Sequence, residues 1–424
     1  MWLFDTIPAY DGGTLLPMLY NCGSALADDF DGATPQDTQM HIVRDTDETA
    51  FLAYCEKVQN AGFTCLFRRS DAAGLYRQFQ KDDCLVYAYF TYADGIARIL
   101  SDKGSVSLAD FSDEDDTHLW ADTALMQFGL WYDDMIKWTS CDCGMNYVLR
   151  LHNNKLVLID GGEIEQATDI ALGEFMHRLR TLTNTVEGDR LEIALWYCTH
   201  AHNDHMDFFM SLLKKYGHLL HVERVMFNFP SHTLLSYPHY VCELRRTLRE
   251  YCPDALFLKP HCGQKFRLAN AEFEVLYTQE DLLTTRADDP IFTGVNETGA
   301  VLKIHFENGK SLLLLADADD DVERIVCDRF AEAGLCCTYL QAAHHCINNL
   351  ERLYAFVQNE YVLVPESRYN IHKRFRRNLD VLYRYNDRDK ILLAGDYTAV
   401  FRNTPDEVRT ELYPIRGCLY DGTY

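Results

Sequence analysis

The chain has 424 residues, against roughly 100 to 200 per domain, so two or three domains with a full buried core are expected and a disordered or peptide-scale chain is excluded. Lys and Arg number 40 against 64 Asp and Glu, and the formal charge of −24 repels DNA, RNA and anionic membrane over most of the surface, so an anionic substrate needs a local positive site. Hydrophobic residues at 47% describe an ordinary globule, and no run reaches the roughly 18 apolar residues that span a bilayer.

The opening Met1-Trp-Leu-Phe-Asp-Thr lacks a basic stretch followed by a long apolar one, does not read as a signal peptide, and leads us to expect a cytoplasmic protein. Residues 1–140 hold 23 acids and 9 bases, a net −14. Residues 1–105 read as a small α+β domain. Phe51, Leu52, Cys55 and Val58 recur at helical spacing between Asp47 and Asn60, with Gly62 as a stop. Strands follow at 63–68, 75–79, 85–92 and 95–100, separated by Asp-Ala-Ala-Gly, Lys-Asp-Asp and Ala-Asp-Gly turn signals. Tyr76, Phe79, Tyr87, Tyr89, Phe90 and Tyr92 alternate as sheet core. This domain carries no catalytic constellation; it is a lid, a sensor or a surface for homo-oligomer formation. Residues 106–120, with the run Asp113-Glu-Asp-Asp116, read as an acidic linker, because contiguous carboxylates repel and cannot all face one ion. The 15 cysteines are odd in number, and the close pairs Cys141-Asp-Cys143 and Cys336-Cys337 are not C-x-x-C, so all are read as reduced thiols outside any site.

Residues 121–424 form a second domain in which strands alternate with helices. Tyr147–Leu151 and Leu156–Ile159 make a hairpin whose second strand ends in Asp160-Gly-Gly162. An amphipathic helix over 171–184 precedes an apolar strand, Leu191–Cys198, and a helix over 206–216 follows it. Later strands fall at 222–227, 273–277, 299–306, 311–315, 338–342, 391–394 and 399–402, with a helix over 374–385.

Directly after the 191–198 strand comes Thr199-His200-Ala-His202-Asn-Asp204-His205. Three imidazoles and a carboxylate in six residues are poor packing material, since each leaves a polar group to satisfy. Ala201 between His200 and His202 lets both rings point to one side of an extended turn, while Asp204 and His205 can aim at a second ion. Imidazole nitrogen with carboxylate oxygen suits zinc, manganese or iron over calcium or magnesium. Two further strands end in Asp317 and in His344-His345, so a carboxylate and an imidazole reach the same sheet edge.

On these motifs the chain resembles the metallo-β-lactamase superfamily over about 123–402: strand-Asp160-Gly-Gly, T-H-x-H-x-D-H at 199–205, strand-Asp317 and the His pair. More narrowly it resembles the branch containing the hydrolase domain of DNA-internalisation competence proteins and the phosphorylcholine esterases, through Gly263-Gln-Lys-Phe266-Arg-Leu268 and Asn296-Glu-Thr298-Gly-Ala-Val301-Leu302. The resemblance implies a four-layer αββα sandwich with two divalent ions, zinc first and manganese or iron next, at the strand ends. It assigns His200 and His202 to one ion, Asp204 and His205 to the other, Asp317 to both, and Asp160 to fixing a ligand. The last ligand is His345 or His344, with His345 preferred and its neighbour then meeting substrate. Cys346-Ile347 replaces the usual Gly-Ser, the midway ligand His has no clear counterpart among His232, His239 and His261, and the later Gly-His-Pro appears only as Asn370-Ile-His372-Lys.

Two ions roughly 3.5 to 4 Å apart lower the pKa of a shared water enough to hold hydroxide at neutral pH. Asp204, His344 or His372 would pass the proton to the leaving group. There is no Ser or Cys nucleophile with a base partner, no P-loop and no Rossmann fingerprint, and His202 stands where redox-active flavodiiron proteins carry Glu. The expected function is binuclear hydrolysis of a small phosphodiester or other anionic phosphoester. A carboxylic ester, thioester or lactone hydrolase and a non-catalytic protein stapled by metal are the alternatives. Between Arg368 and Lys390, 8 bases face 3 acids, so Arg374 and Arg376, with Asn296, are candidate substrate contacts; a solvated helix face paired to the acidic first domain explains the same charges.

Overall fold

The computed structural model describes residues 5–16, 19–20, 38–103, 108, 123–130, 143–230, 239–283, 295–306, 309–404 and 406–415. The acidic linker (Leu108 apart), Cys141 and His232 lie outside these residues.

The first sheet contains β1 (Thr38–Arg44), β2 (Thr64–Ser70), β3 (Gly74–Lys81), β4 (Cys84–Thr91) and β5 (Ile96–Lys103), antiparallel in the order β1-β5-β4-β3-β2, with short strands Thr14–Leu15 and Leu19–Tyr20 on β1. Helix α1 (Glu48–Asn60) starts where the Asp47 carboxylate accepts from Ala50 N at 2.8 Å, and the chain turns out of it at Gly62, φ 91°. Its Phe51, Tyr54, Cys55 and Val58 pack on Phe79, Val86, Ala88 and Phe90. The other parity, Met40, Ile42, Tyr76, Tyr87, Tyr89 and Leu100, joins the core of the remaining chain. Every residue of β4 is therefore buried. Of the aromatics read as sheet core, Tyr92 is exposed. Strand β1 has no counterpart among the sequence-expected elements.

The remaining residues build two mixed sheets. The nine-stranded one holds β6 (Thr123–Gln127), β7 (Asn146–Arg150), β8 (Leu156–Asp160), β9 (Leu191–Tyr197), β10 (Leu220–Val222), β11 (Arg224–Met226), β12 (Leu256–Leu258) and, from the C-terminal part, β20 (Tyr397–Asn403) and β21 (Val408–Pro414). Its order is β12-β11-β9-β8-β7-β6-β20-β21, with β10 also on β9. The seven-stranded one runs in chain order through β13 (Lys265–Leu268), β14 (Ala271–Tyr277), β15 (Val301–Phe306), β16 (Ser311–Leu314), β17 (Tyr339–Gln341), β18 (Tyr361–Val364) and β19 (Ile391–Leu393). Strands β8, β9, β11 and β12 are parallel, as are β16 to β19, so their C-terminal ends line up at one edge of each sheet.

Side-chain alternation makes the layers. Leu125, Leu149, Val157, Ile159, Leu195 and Tyr197 meet Phe273, Val275, Leu302, Ile304, Leu312, Leu314 and Leu363 between the sheets. The opposite parity faces helices: Val148, Leu158 and Trp196 cluster with α2 (Asp169–Thr183) and α3 (Asp207–Tyr216), while Leu313, Leu340 and Val362 cluster with α6 (Asp320–Arg329), α7 (Glu351–Phe356) and α9 (Arg376–Tyr385). Three further helices, α4 (His239–Tyr251), α5 (Gln279–Leu283) and α8 (Arg368–Lys373), sit between these elements in sequence. The protein is thus α/β, with helices outside two facing mixed sheets. No helix among the described residues is long and apolar enough to cross a membrane.

The first sheet rests on the second unit through buried charge as well as apolar contact. Asp281 on α5 receives both guanidinium nitrogens of Arg329 at 2.7 and 2.8 Å, the Tyr89 hydroxyl at 3.1 Å, and lies 3.5 Å from Arg98 Nε. Burial raises its carboxyl pKa, but Arg329 and Arg98 outweigh burial and hold it below the usual range. Arg69 pairs with Glu274 and donates to Gly263 O at 3.0 Å. Gly263, at φ 85°, lets the Tyr76 ring lie where any Cβ would overlap it.

Removing the charge of Asp281 takes the counterion from the buried Arg329 guanidinium and one of two acidic neighbours from Arg98, which keeps Asp94 at 2.6 Å. Asp281→Asn is expected to lower stability by about 3 to 5 kcal/mol at pH 7 in urea unfolding. Because the folded pKa is depressed, wild type holds this contribution fully above the ordinary carboxylate range and loses it as the pH falls from that range through the lower folded pKa, so the two proteins should converge in strong acid. A gap that stays constant down to the acid limit would contradict the electrostatic origin.

Candidate metal centre

The strand ends deliver the functional side chains. Asp160 is the last residue of β8, at φ 57°, and its buried carboxylate accepts from Thr199 N (2.7 Å), Thr199 Oγ (2.9 Å) and His205 Nδ1 (2.7 Å). With its hydroxyl proton committed to Asp160, Thr199 Oγ is left to accept from His200 Nδ1 at 3.1 Å. His345 donates its Nδ1 hydrogen to the carbonyl of Pro365 at 2.9 Å. Three imidazoles are therefore fixed with Nδ1 protonated and Nε2 turned inward, the arrangement that presents a lone pair to a cation.

Two groups result, each with its ligating atoms within 4.8 Å of one another: Asp204, His205, Asp317 and His345, and His200, His202 and Asp317. Asp317 belongs to both. Its Oδ1 lies 3.3 Å from His205 Nε2 and 3.6 Å from His345 Nε2, and its Oδ2 lies 3.6 Å from His200 Nε2. Asp204 also spans the groups, with Oδ1 2.9 Å from His202 Nδ1 and Oδ2 3.0 Å from His345 Nε2. His200 Nε2, His202 Nδ1, His205 Nε2, His345 Nε2, Asp204 Oδ1 and both Asp317 oxygens are buried and make no hydrogen bond. Unsatisfied buried polar atoms are rare and costly, and here they converge. The convergence fits two divalent cations sharing one carboxylate, and the nitrogen and oxygen donors suit zinc, manganese or iron.

Electrostatics follow from this crowding. Burial lowers the His200 pKa well below its ordinary value, aided by His205. Burial also opposes protonation of His345, but Asp317 and Asp204 outweigh it and raise the pKa to about 9. Burial works against the charged form of Asp317 too, yet His205, His345 and His344 hold it strongly below the usual carboxylate range. Asp207, the first residue of α3, is raised to about 6 by burial and by Glu243.

The backbone is strained where it delivers these groups. Asp160, Ala316, His344 (φ 45°), His345 (φ 51°) and Cys346 (φ 66°) all have positive φ. The left-handed geometry at Cys346 is one that a glycine adopts more readily than a side-chain-bearing residue. His344 turns to the rim, its Nε2 2.9 Å from Asn296 Nδ2 and 3.7 Å from Asp317 Oδ2.

The structure does not gather every residue singled out in the sequence. His372 on α8 has its Nδ1 3.3 Å from Arg376 Nη1, Arg376 Nε donates to Asp380, Arg374 reaches Asn370, and none of the three belongs to a ligand group. His261 bonds Glu280 at 2.8 Å and stacks on Tyr87, and His239 lies against Tyr240. Three contributors escaped the sequence reading: Tyr240, whose ring meets His202 edge-on at 6.0 Å; the Pro365 carbonyl; and Cys143, whose thiol lies 3.4 Å from Asp204 Oδ2. Only Cys143 left a trace, in the Cys-x-Cys pair. A third group, Glu192, His221 and Glu223, is on the surface, where Lys155 and Arg224 already neutralise Glu223.

No protein-family model matches the chain, and no curated protein matches its sequence. Solved structures do. The metallo-β-lactamase fold protein YhfI from Bacillus subtilis is 10% identical with a TM-score of 0.40, over 67% of this chain and 100% of that one. CmlA, a diiron β-hydroxylase from Streptomyces venezuelae, is 14% identical with a TM-score of 0.38, over 69% of this chain and 54% of that one. The short form of human tRNase Z is 12% identical with a TM-score of 0.30, over 64% and 95%.

Without an ion, His345 holds its proton up to about pH 9, so a cation must displace it. Zinc affinity is expected to rise steeply from pH 7 to 9, with proton release on zinc binding at pH 7 measured by calorimetry in buffers of different ionisation heat; His205, where burial is likewise outweighed by Asp317 and Asp160 and the pKa is held above its ordinary value, adds to the rise. An affinity flat over that interval would contradict the assignment.

Proposed function

We propose that the chain is a binuclear metallohydrolase of the metallo-β-lactamase type, acting on a small phosphodiester or other anionic phosphoester. The observation that carries the proposal is Asp317, a buried carboxylate shared by two ligand groups whose inward atoms make no hydrogen bond. His200, His202 and Asp317 would hold one cation, and Asp204, His205, Asp317 and His345 the other. Two such cations supply Lewis-acid charge and acidify water.

The remaining chemistry falls to the chain's own residues. Asp160, Thr199 and the Pro365 carbonyl keep the imidazole tautomers fixed, so no reorganisation accompanies turnover. His344 would meet the substrate and take part in proton transfer: its side chain is 18% exposed, at the rim, and its Nε2 accepts from Asn296 Nδ2, which orients it. His372 is less suited to this step, because it is tied to Arg376. The phosphoester class is supported by the motifs shared with the phosphorylcholine-esterase-like branch, Gly263-Gln-Lys-Phe266-Arg-Leu268 and Asn296-Glu-Thr298; the bases at 368–390 do not add to it, since Arg368, Arg376 and Arg384 pair with Asp396, Asp380 and Glu351. A second reading, hydrolysis of a carboxylic ester, thioester or lactone, is favoured by Asp207 and Glu243 on the His202 side, which disfavour an anion there.

Zinc- or manganese-reconstituted protein should contain two ions per chain and cleave aryl phosphodiesters in preference to aryl carboxylic esters. His202→Ala should lower kcat/KM by at least about 100-fold, since removing a ligand removes charge stabilisation, while the melting temperature falls only modestly. The reverse substrate preference selects the second reading. Loss of folding in His202→Ala, with wild type inert on every ester, selects a metal that only staples the fold.

A further inference from the structure

We infer that Cys143 is a positioning residue for the Asp204, His205 and His345 ligand group: its thiol donates to Asp204 Oδ2 and fixes which oxygen of that carboxylate faces His345. The inference rests on the metal-centre reading above.

Asp204 faces both groups, with Oδ1 toward His202 and Oδ2 toward His345. Rotation about its Cβ–Cγ bond would exchange the two oxygens, so the carboxylate needs an external hold. Cys143 Sγ, 3.4 Å from Oδ2, is a weak donor, and a carboxylate is the strongest kind of acceptor available to it. The thiol is itself held. Gln166 donates to Cys143 O at 3.1 Å, Gly144 N donates to Pro365 O at 3.4 Å, and Met145 N donates to Asp204 O at 3.1 Å. One three-residue segment thus grips the backbone and the side chain of Asp204 together. The same Pro365 carbonyl accepts from His345 Nδ1, so the segment ties two ligands of one group to a common support.

Independent observations place a cation beside this hold. His205 Nε2, His345 Nε2 and Asp317 Oδ1, from side chains at most 1% exposed, point into the same space without a hydrogen bond. Cys143 is not one of the four residues whose donor atoms share the 4.8 Å neighbourhood, so its thiol supports a ligand and is not one.

The test uses the full chain with zinc and a chelator in competition. Cys143→Ala should weaken the binding of one of the two zinc ions by about 10- to 100-fold, and Cys143→Ser, which keeps a donor, should restore most of it. A purely structural role would lower the melting temperature of metal-free protein in both variants without distinguishing Ser from Ala, and that outcome overturns the inference. So does unchanged zinc affinity in Cys143→Ala. A thiolate-to-cobalt charge-transfer band in cobalt-loaded wild type, lost in Cys143→Ser, would make Cys143 a ligand and also overturn it. Wild-type protein that takes up neither zinc nor cobalt overturns the metal reading itself, and this inference with it.

Discussion

A carboxylate that is completely buried must find donors, and the way Asp160 finds them organises the rest of the site. Its oxygens take the Thr199 amide, the Thr199 hydroxyl and the His205 ring hydrogen, which come from the loop after β9 and the turn before α3. Satisfying one buried charge thereby locks two parallel strand ends and a helix entry into a single arrangement. The hydroxyl relays the constraint to His200. From one desolvated group, two imidazoles acquire a defined tautomer and direction before any cation arrives.

The opposite sheet supplies the counterpart. Ala316 and the His344–Cys346 turn adopt left-handed conformations that ordinary residues avoid, and backbone bonds such as His344 N to Ala316 O at 3.0 Å hold them there. Gln341 braces the same turn through Leu315 N and Ala316 O. Strain of this kind persists only where the surroundings over-determine it. Here it is concentrated on the residues that carry Asp317 and His345 to meet the groups from the nine-stranded sheet.

The juxtaposition of His200, His202, Asp204, His205, Asp317 and His345 is legible in the sequence because each follows an apolar strand, and parallel strands end at one edge. The αββα layering is legible for the same reason: two-residue periodicity and strand-helix alternation are local signals. What depends on distant pairing is not. The approach of Cys143 to Asp204 accompanies an isolated bridge from Cys143 to Glu366, two residues beyond β18, and no local pattern announces it. Strand β1 alternates only over Gln39-Met40-His41-Ile42, and its polar positions Gln39 and His41 are themselves buried, a placement that depends on its pairing with β5. His372 satisfies a motif-like spacing, yet α8 directs it to Arg376. Likewise, among the described residues, Arg376, Arg384 and Arg368 of the basic stretch at 368–390 pair with Asp380, Glu351 and Asp396.

The register of the nine-stranded sheet bears on how the chain is made. β6 pairs with β7 on one side and, on the other, with β20, so that Leu125 lies opposite Phe401. During synthesis from the N-terminus, every residue of both ligand groups leaves the ribosome before the strand that completes their supporting sheet. Until Tyr397–Asn403 follows, the wholly buried Thr123–Gln127 presents an open hydrogen-bonding edge flanked by apolar side chains. Such edges recruit foreign strands. The nascent chain therefore passes through a stage in which its chemistry-bearing residues are all present and its sheet is not yet closed.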